Sequence, residues 1–210
     1  MRIGIIGSGS VGGTLGLRWS QAGHTVVFGS RHPDTPLMTG LAERAGNGAR
    51  AATLADAVAF SDVLLLATPW PTTKEVLDGL GPLAGKVLID ATNPLLPGLA
   101  GLEVGTTVSG AEMVSCWAPG AWVVKAFNTV GSNVMENPSF GGVRPVLFFC
   151  GDDAKAKETV GRLAEAIGFD AKDAGPLRQA RLLEPFALLW ISLALEQGHG
   201  REIAFQFLKR

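Results

Sequence analysis

Gly7-Ser8-Gly9-Ser10-Val11-Gly12 reads G-x-G-x-x-G, and it lies where the short apolar run Arg2–Ile6 gives way to a helical pattern. In that context each glycine has its own task. Gly7 permits a tight turn, Gly9 lets a pyrophosphate approach the backbone, and Gly12 lets helix and strand pack closely. Ser8, Ser10 and Val11 complete a loop whose amides, with the positive end of the helix, can face a diphosphate. An NAD site places an acid about 20 residues further on to take the ribose 2′-hydroxyl. Here no acid occurs before Asp34, and the second apolar run ends Gly29-Ser30-Arg31. A hydroxyl beside a guanidinium suits a dianionic 2′-phosphate, so Ser30 and Arg31 point to NADP(H).

Two more polar stretches follow apolar runs. Ala67-Thr68-Pro69-Trp70 comes after DVLLLA, and Asp90-Ala91-Thr92-Asn93-Pro94 after Lys86–Ile89. A proline directly after a strand ends the ladder and stiffens a wall, so Thr68 and Pro69 are candidates for the nicotinamide side. Asn93 either pairs a carboxamide or ribose hydroxyl or serves as turn chemistry before Pro94. Asp90 is an acid or a cap for the turn that follows. Lys125-Ala126-Phe127-Asn128 places a lysine and an asparagine three apart at a strand end. Hydroxyacid dehydrogenases use such a pair on a helix at a spacing of four, so no catalytic acid or base is assigned here. His24, His32 and His199 have no metal-ligand spacing, and no metal site is expected. The chain has no tyrosine, which excludes dehydrogenases that depend on a Tyr-x-x-x-Lys acid.

The elements that must carry these residues are legible as an alternation. Strands are expected over Arg2–Ile6, Thr25–Phe28, Ala49–Thr53, Asp62–Ala67, Lys86–Asp90 and Ala121–Ala126. Between them lie helices at Val11–Ala22, around Leu41–Ala45, at Leu54–Phe60, at Thr73–Leu80, and from a Ser109/Glu112 capping box to Trp117. Apolar strands separated by helices imply a parallel sheet covered on both faces. The fold class is therefore α/β: a Rossmann-type, doubly wound, mainly parallel sheet over residues 1–130, with a smaller C-terminal α/β segment over 131–210 that is expected to close one side of the nicotinamide cleft. In that segment a strand is expected over Val143–Cys150, a helix capped by Asp152, a strand over Phe169–Ala174, a long helix bent at Pro185, and a terminal strand over Ile203–Phe207.

Composition narrows the partners. Eighteen basic residues against nineteen acidic ones give a net charge of −1 in 210 residues, so nothing argues for nucleic acid or an anionic membrane. The longest apolar stretch, Phe186–Leu195, is short of the roughly 20 residues of a membrane span. Cys116 and Cys150 read as small core thiols of a reducing compartment, and a cytoplasmic location is expected. The apolar helix around Leu188, Leu189, Trp190 and Leu193 offers either a homodimer face or packing on its own sheet.

Taken together, GSGSVGGTLGLRWSQAGHTVVFGSR, ATPW, DATNPL, VVKAFNTVG and GPLRQARLLEP resemble the NADPH-dependent deazaflavin (coenzyme F-420) reductase family. The same nucleotide domain occurs in ferric-reductase relatives of animal membranes, and the resemblance covers nearly the whole chain. It implies that Ser8 to Val11 hold the pyrophosphate and that Ser30 and Arg31 hold the 2′-phosphate. Thr68, Asn93 and Ala126 would line the nicotinamide side. The implied activity is hydride transfer between NADP(H) and a flat small-molecule electron carrier, first the deazaflavin coenzyme F-420. Such a transfer needs two rings held close and no nucleophile, which fits the scarcity of acid–base residues. Two alternatives stay open: reduction of a small imine or carbonyl with Lys125 or Asp90 as proton donor, and a non-catalytic NADP(H)-binding regulator.

Overall fold

The structure is a computed structural model describing all 210 residues. Its strands are β1 (Arg2–Ile6), β2 (Thr25–Ser30), β3 (Arg50–Thr53), β4 (Val63–Leu66), β5 (Val87–Asp90), β6 (Trp122–Lys125), β7 (Val146–Gly151) and β8 (Asp170–Asp173). They form one eight-stranded sheet in the order β3-β2-β1-β4-β5-β6-β7-β8. Every pairing is parallel except β6 with β7. Alternation along a strand assigns its side chains to two cores. In β4, Val63 and Leu65 join the core on one face and Leu64 and Leu66 the core on the other. That is why these strands read as unbroken apolar runs. The strand order reverses at β1, which lies between β2 and β4, so a crevice opens at the carboxyl ends of β1 and β4.

The helices are α1 (Ser10–Gln21), α2 (Pro36–Ala45), α3 (Leu54–Phe60), α4 (Trp70–Asp78), α5 (Gly110–Trp117), α6 (Ser132–Glu136), α7 (Ala154–Ala166) and α8 (Ala180–Ile191). α1 buries Leu15 and Trp19, and the Trp19 indole donates to the Leu163 carbonyl of α7 at 3.1 Å. Residues 131–210 therefore extend the same sheet by β7 and β8 and share a core with Ile3 and Leu15 through Leu147, Leu163 and Phe169. No helix is long and apolar enough to cross a membrane.

α5 starts at the expected capping box: Ser109 Oγ accepts from the Glu112 amide and the Ser109 amide donates to the Glu112 carboxylate. Glu112 also takes a two-pronged contact from Arg181 of α8, at 2.8 and 2.6 Å. The Arg181 hydrogen bonds, with those from Ser109, hold the Glu112 carboxyl down at about 2 from an ordinary 4.5. A carboxyl lowered in the folded state adds stability above its unfolded pKa and loses it as pH falls through the folded one. We therefore expect thermal melts to show this contribution intact above about pH 4.5 and fading toward pH 2, with Glu112→Gln flattening that slope. The effect is small, because the Arg181 and Glu112 side chains remain 37% and 23% exposed.

Several expected elements shift. α2 begins at Pro36, whose fixed φ suits a first helical turn, well before Leu41. Asp153, not Asp152, caps α7 by accepting from the Ala156 amide, while Asp152 accepts from the Leu177 amide instead. α8 is a single helix over Ala180–Ile191 with the exposed Pro185 inside it, so it does not restart there. It is preceded by a 3₁₀ turn at Leu177–Gln179 and followed by a π turn at Ser192–Glu196. Ile203–Phe207 is not a strand. One backbone bond, from the Val146 amide to the Phe205 carbonyl, ties it to β7, and its rings pack on Phe186 and Phe148. Cys150 is buried, with desolvation pushing its thiol up to about 12, but Cys116 is exposed and is no core thiol.

Candidate functional site

The β1–α1 turn is shaped by its glycines. Gly7 has φ +99°, and a Cβ there would meet the Ala67 carbonyl oxygen at 2.5 Å. A Cβ on Gly12 would sit 1.9 Å from the Gly7 carbonyl oxygen, so helix and turn touch only because Gly12 lacks a side chain. Gly9 differs: a Cβ there would meet nothing within 4 Å. It would project into open space at the start of α1, a helix with no side-chain cap and no acid in its first turn. The first-turn amides are left facing a space that suits an anion, which is the fit a dinucleotide diphosphate requires.

Two cavities meet at this turn, both touching Gly7, Ser8, Gly9, Thr68 and Pro69. The first, of about 400 Å³, runs over the end of β2 to Ser30 and Arg31. Ser30 Oγ accepts from the His32 amide at 3.0 Å, which leaves its hydroxyl hydrogen to donate elsewhere. Arg31 is exposed and enters none of the ion pairs of the chain. Leu37, Met38, Leu54 and Val76 supply apolar walls fit for a planar base. Sequence patterning gave no signal for these four, because they come from three separate helices.

The second cavity, of about 660 Å³, lies on the other side of the turn and takes in Ser10, Val11, Trp70, Thr92, Asn93 and Leu95. Asn93 and Asn128 bond reciprocally: Asn93 Nδ2 donates to the Asn128 carbonyl at 2.9 Å, and Asn128 Nδ2 donates to Asn93 Oδ1 at 3.1 Å. One N–H and one lone pair of the Asn93 amide remain for the cavity. Asn128 reaches Asn93 where Phe127, at φ +63°, turns the chain at the end of β6. A bulky residue in that conformation is strained, and it is held edge-on between Trp19 and Phe169 at 5.6 and 6.2 Å.

One expectation is corrected here, and the open readings of Lys125 and Asp90 are decided. Ala126 is fully buried and lines neither cavity, because β6 lies behind the β5 loop that forms the wall. Lys125 and Asp90 also point away from the crevice. Lys125 Nζ lies 3.0 Å from Asp90 Oδ2, 2.8 Å from Glu184 Oε1 and 2.6 Å from the Thr92 carbonyl oxygen, and all three charged side chains are 0% exposed. Burial alone would lower the lysine pKa, but the attraction and hydrogen bonds of Asp90 and Glu184 outweigh it and hold Lys125 above its ordinary value. It is paired inside the core, and neither Lys125 nor Asp90 lines a cavity of the crevice. Asp90 Oδ1 accepts from the Thr92 amide and hydroxyl, so it is the cap of its turn. Glu184 was not a candidate from the sequence, since one acid in an apolar helix looks like any surface residue.

Ser8, Ser10, Val11, Thr68, Pro69 and Asn93 thus converge on one crevice with Gly7 and Gly9, while Gly12 packs beneath it. The family model described as "NADP oxidoreductase coenzyme F420-dependent" matches residues 2–94, from β1 to the loop after β5. The metalloreductase STEAP3 of Rattus norvegicus is 33% identical over 189 residues, 89% of this chain, but the chain spans only 36% of that protein. The F420-dependent NADP reductase of Methanothermobacter thermautotrophicus is 32% identical over 210 residues, with 92% of this chain and 89% of the relative covered. The crystal structure of a protein from Arthrobacter sp. FB24, provisionally described as an F420-dependent NADP reductase, superposes over 100% of both chains with a TM-score of 0.89 and 29% identity. With such similarity along nearly the full length of a relative of the same size, the chain belongs to the coenzyme F420-dependent NADP oxidoreductase family.

Proposed function

We propose that this protein binds NADP(H) across the β1–α1 turn and transfers hydride between it and the deazaflavin coenzyme F-420. The observation that carries the reading is the open space over Gly9, which joins a cavity ending at Ser30 and Arg31 to one walled by Thr68 and Asn93. Bound together, the two cofactors supply exchange of a hydride between nicotinamide C4 and the deazaflavin ring. The chain's part is to hold and orient. The α1 amides and the Ser8 and Gly9 backbone take the diphosphate, and Ser30 and Arg31 take the 2′-phosphate. Pro69, Trp70 and Leu95 shed water from the second cavity, where Asn93 offers its spare amide valences. No side-chain acid is needed, which agrees with Lys125 and Asp90 being sealed in the core. That burial also removes the proton donors on which reduction of an imine or carbonyl would rest.

The test is to mix the protein with NADPH and oxidised coenzyme F-420 and follow the visible absorbance of the deazaflavin. Loss of that band together with oxidation of NADPH is expected. Turnover confined to imines or ketones, or tight NADPH binding with no turnover on any carrier, defeats the proposal.

A further inference from the structure

Two chains of contacts leave successive residues of α8 and arrive at successive residues of the crevice wall. The Leu183 carbonyl accepts from Asn128 Nδ2 at 3.1 Å, and Asn128 is reciprocally bonded to Asn93. The Glu184 carboxylate holds Lys125 Nζ at 2.8 Å, and Lys125 donates to the Thr92 carbonyl at 2.6 Å. Glu184 is itself pinned by the first two amides of α5, Gly110 at 2.8 Å and Ala111 at 3.0 Å, so it joins three elements at once. Glu184, Lys125 and Asp90 are wholly buried, and Asn128 is 6% exposed. An ion cluster in the core is a poor stabiliser compared with apolar packing, but its directional bonds specify one geometry. Here that geometry is of the loop 91–95, whose Thr92 and Asn93 line the second cavity.

We propose that Glu184 is a positioning residue: acting through Lys125, and beside the parallel Leu183–Asn128–Asn93 chain, it locks the Thr92–Asn93 wall to α8 and so sets the site for the nicotinamide half of the cofactor. The inference rests on the NADP(H) reading above for the identity of the ligand, but the locking of the wall is a property of the free protein. The first cavity, ending at Ser30 and Arg31, shares no residue with this network. The effect is therefore confined to one half of the dinucleotide.

The experiment compares wild type, Glu184→Gln and Arg181→Gln. The last removes another α8–α5 contact, to Glu112, that does not reach the wall. Exchange of the Ala91, Thr92, Asn93 and Leu95 amides in the ligand-free proteins is expected to quicken in Glu184→Gln and to stay at the wild-type rate in Arg181→Gln. By calorimetry Glu184→Gln weakens NADPH about tenfold, the scale of one lost charge-assisted hydrogen bond, while adenosine 2′,5′-bisphosphate, which lacks the nicotinamide half, binds within about twofold of wild type. If Glu184→Gln does not fold, Asn128→Ala severs the parallel chain without disturbing the ion cluster, and the same pattern is expected of it. Unchanged exchange at 91–95, equal weakening of both ligands, or the same changes in Arg181→Gln overturns the proposal. Wild type that binds neither ligand defeats the NADP(H) reading instead, and the exchange measurement still decides whether Glu184 positions the wall.

Discussion

Gly9→Val is expected to abolish NADPH binding in a protein that still folds. Fingerprint glycines are often treated as one unit, but in this chain their physical situations differ. Gly7 and Gly12 are closed in by backbone at 2.5 and 1.9 Å from an ideal Cβ, so substituting either disturbs the fold before any ligand arrives. Gly9 has nothing within 4 Å of that position and an extended backbone, φ −71° and ψ −162°, which valine adopts readily. The isopropyl group would occupy the space that joins the two cavities, where the diphosphate has to approach the α1 amides. Affinity for NADPH should fall at least about a hundredfold, while the melting temperature stays within a few degrees of wild type. Calorimetry and a thermal melt on the same preparation separate the two effects. A folded Gly9→Val variant that binds NADPH as well as wild type removes the diphosphate from this turn.

Arg31→Ala is expected to weaken NADPH roughly ten- to hundredfold and to leave NADH nearly unchanged. Arg31 has no carboxylate partner in the protein, and neighbouring Ser30 keeps a hydroxyl hydrogen to donate, so both can turn to a phosphate at the end of β2. Charge-assisted hydrogen bonds of this kind contribute about 1.5–3 kcal/mol each, and NADH lacks the group that would receive them. Because Arg31 is exposed, the discrimination should shrink as salt is raised. Binding of both cofactors to both proteins at two ionic strengths checks the idea. Wild type that binds NADH as tightly as NADPH, or an Arg31→Ala variant that weakens both alike, would show that the 2′-phosphate is not read here.

Most of the scaffold is legible in the sequence. β1, α3 and the Ser109–Glu112 box occur where local pattern puts them, because an unbroken β-branched run, a strand-to-helix switch and a side chain reaching three residues are all short-range matters. The errors fall where local signals tie. Asp152 and Asp153 are equally good caps by type, and only the Leu177 amide arriving from 25 residues away decides which of them is taken. The alternation of Ile203, Phe205 and Phe207 is that of a strand, but the segment makes a single backbone bond to β7 and places its phenylalanine rings on Phe186 and Phe148 instead.

The site divides in the same way. Gly7, Gly9, Gly12, Ser30 and Arg31 could be read off the chain because a turn, a helix start and a strand end depend on neighbouring residues. Thr68 and Asn93 were identifiable as residues after strands on the nicotinamide side, and the fold makes both of them walls of the second cavity. What only the tertiary structure decided is the fate of the charged residues. Lys125, Asp90 and Glu184 stand 35 and 59 residues from one another in a chain whose sequence gives no hint that they meet. Parallel pairing of β5 with β6 sets Asp90 beside Lys125, and α8 then lowers Glu184 onto both. Long-range pairing made two apparent acid–base candidates into buried support for the wall, since whether a charge meets water or another charge depends on what the fold lays over it.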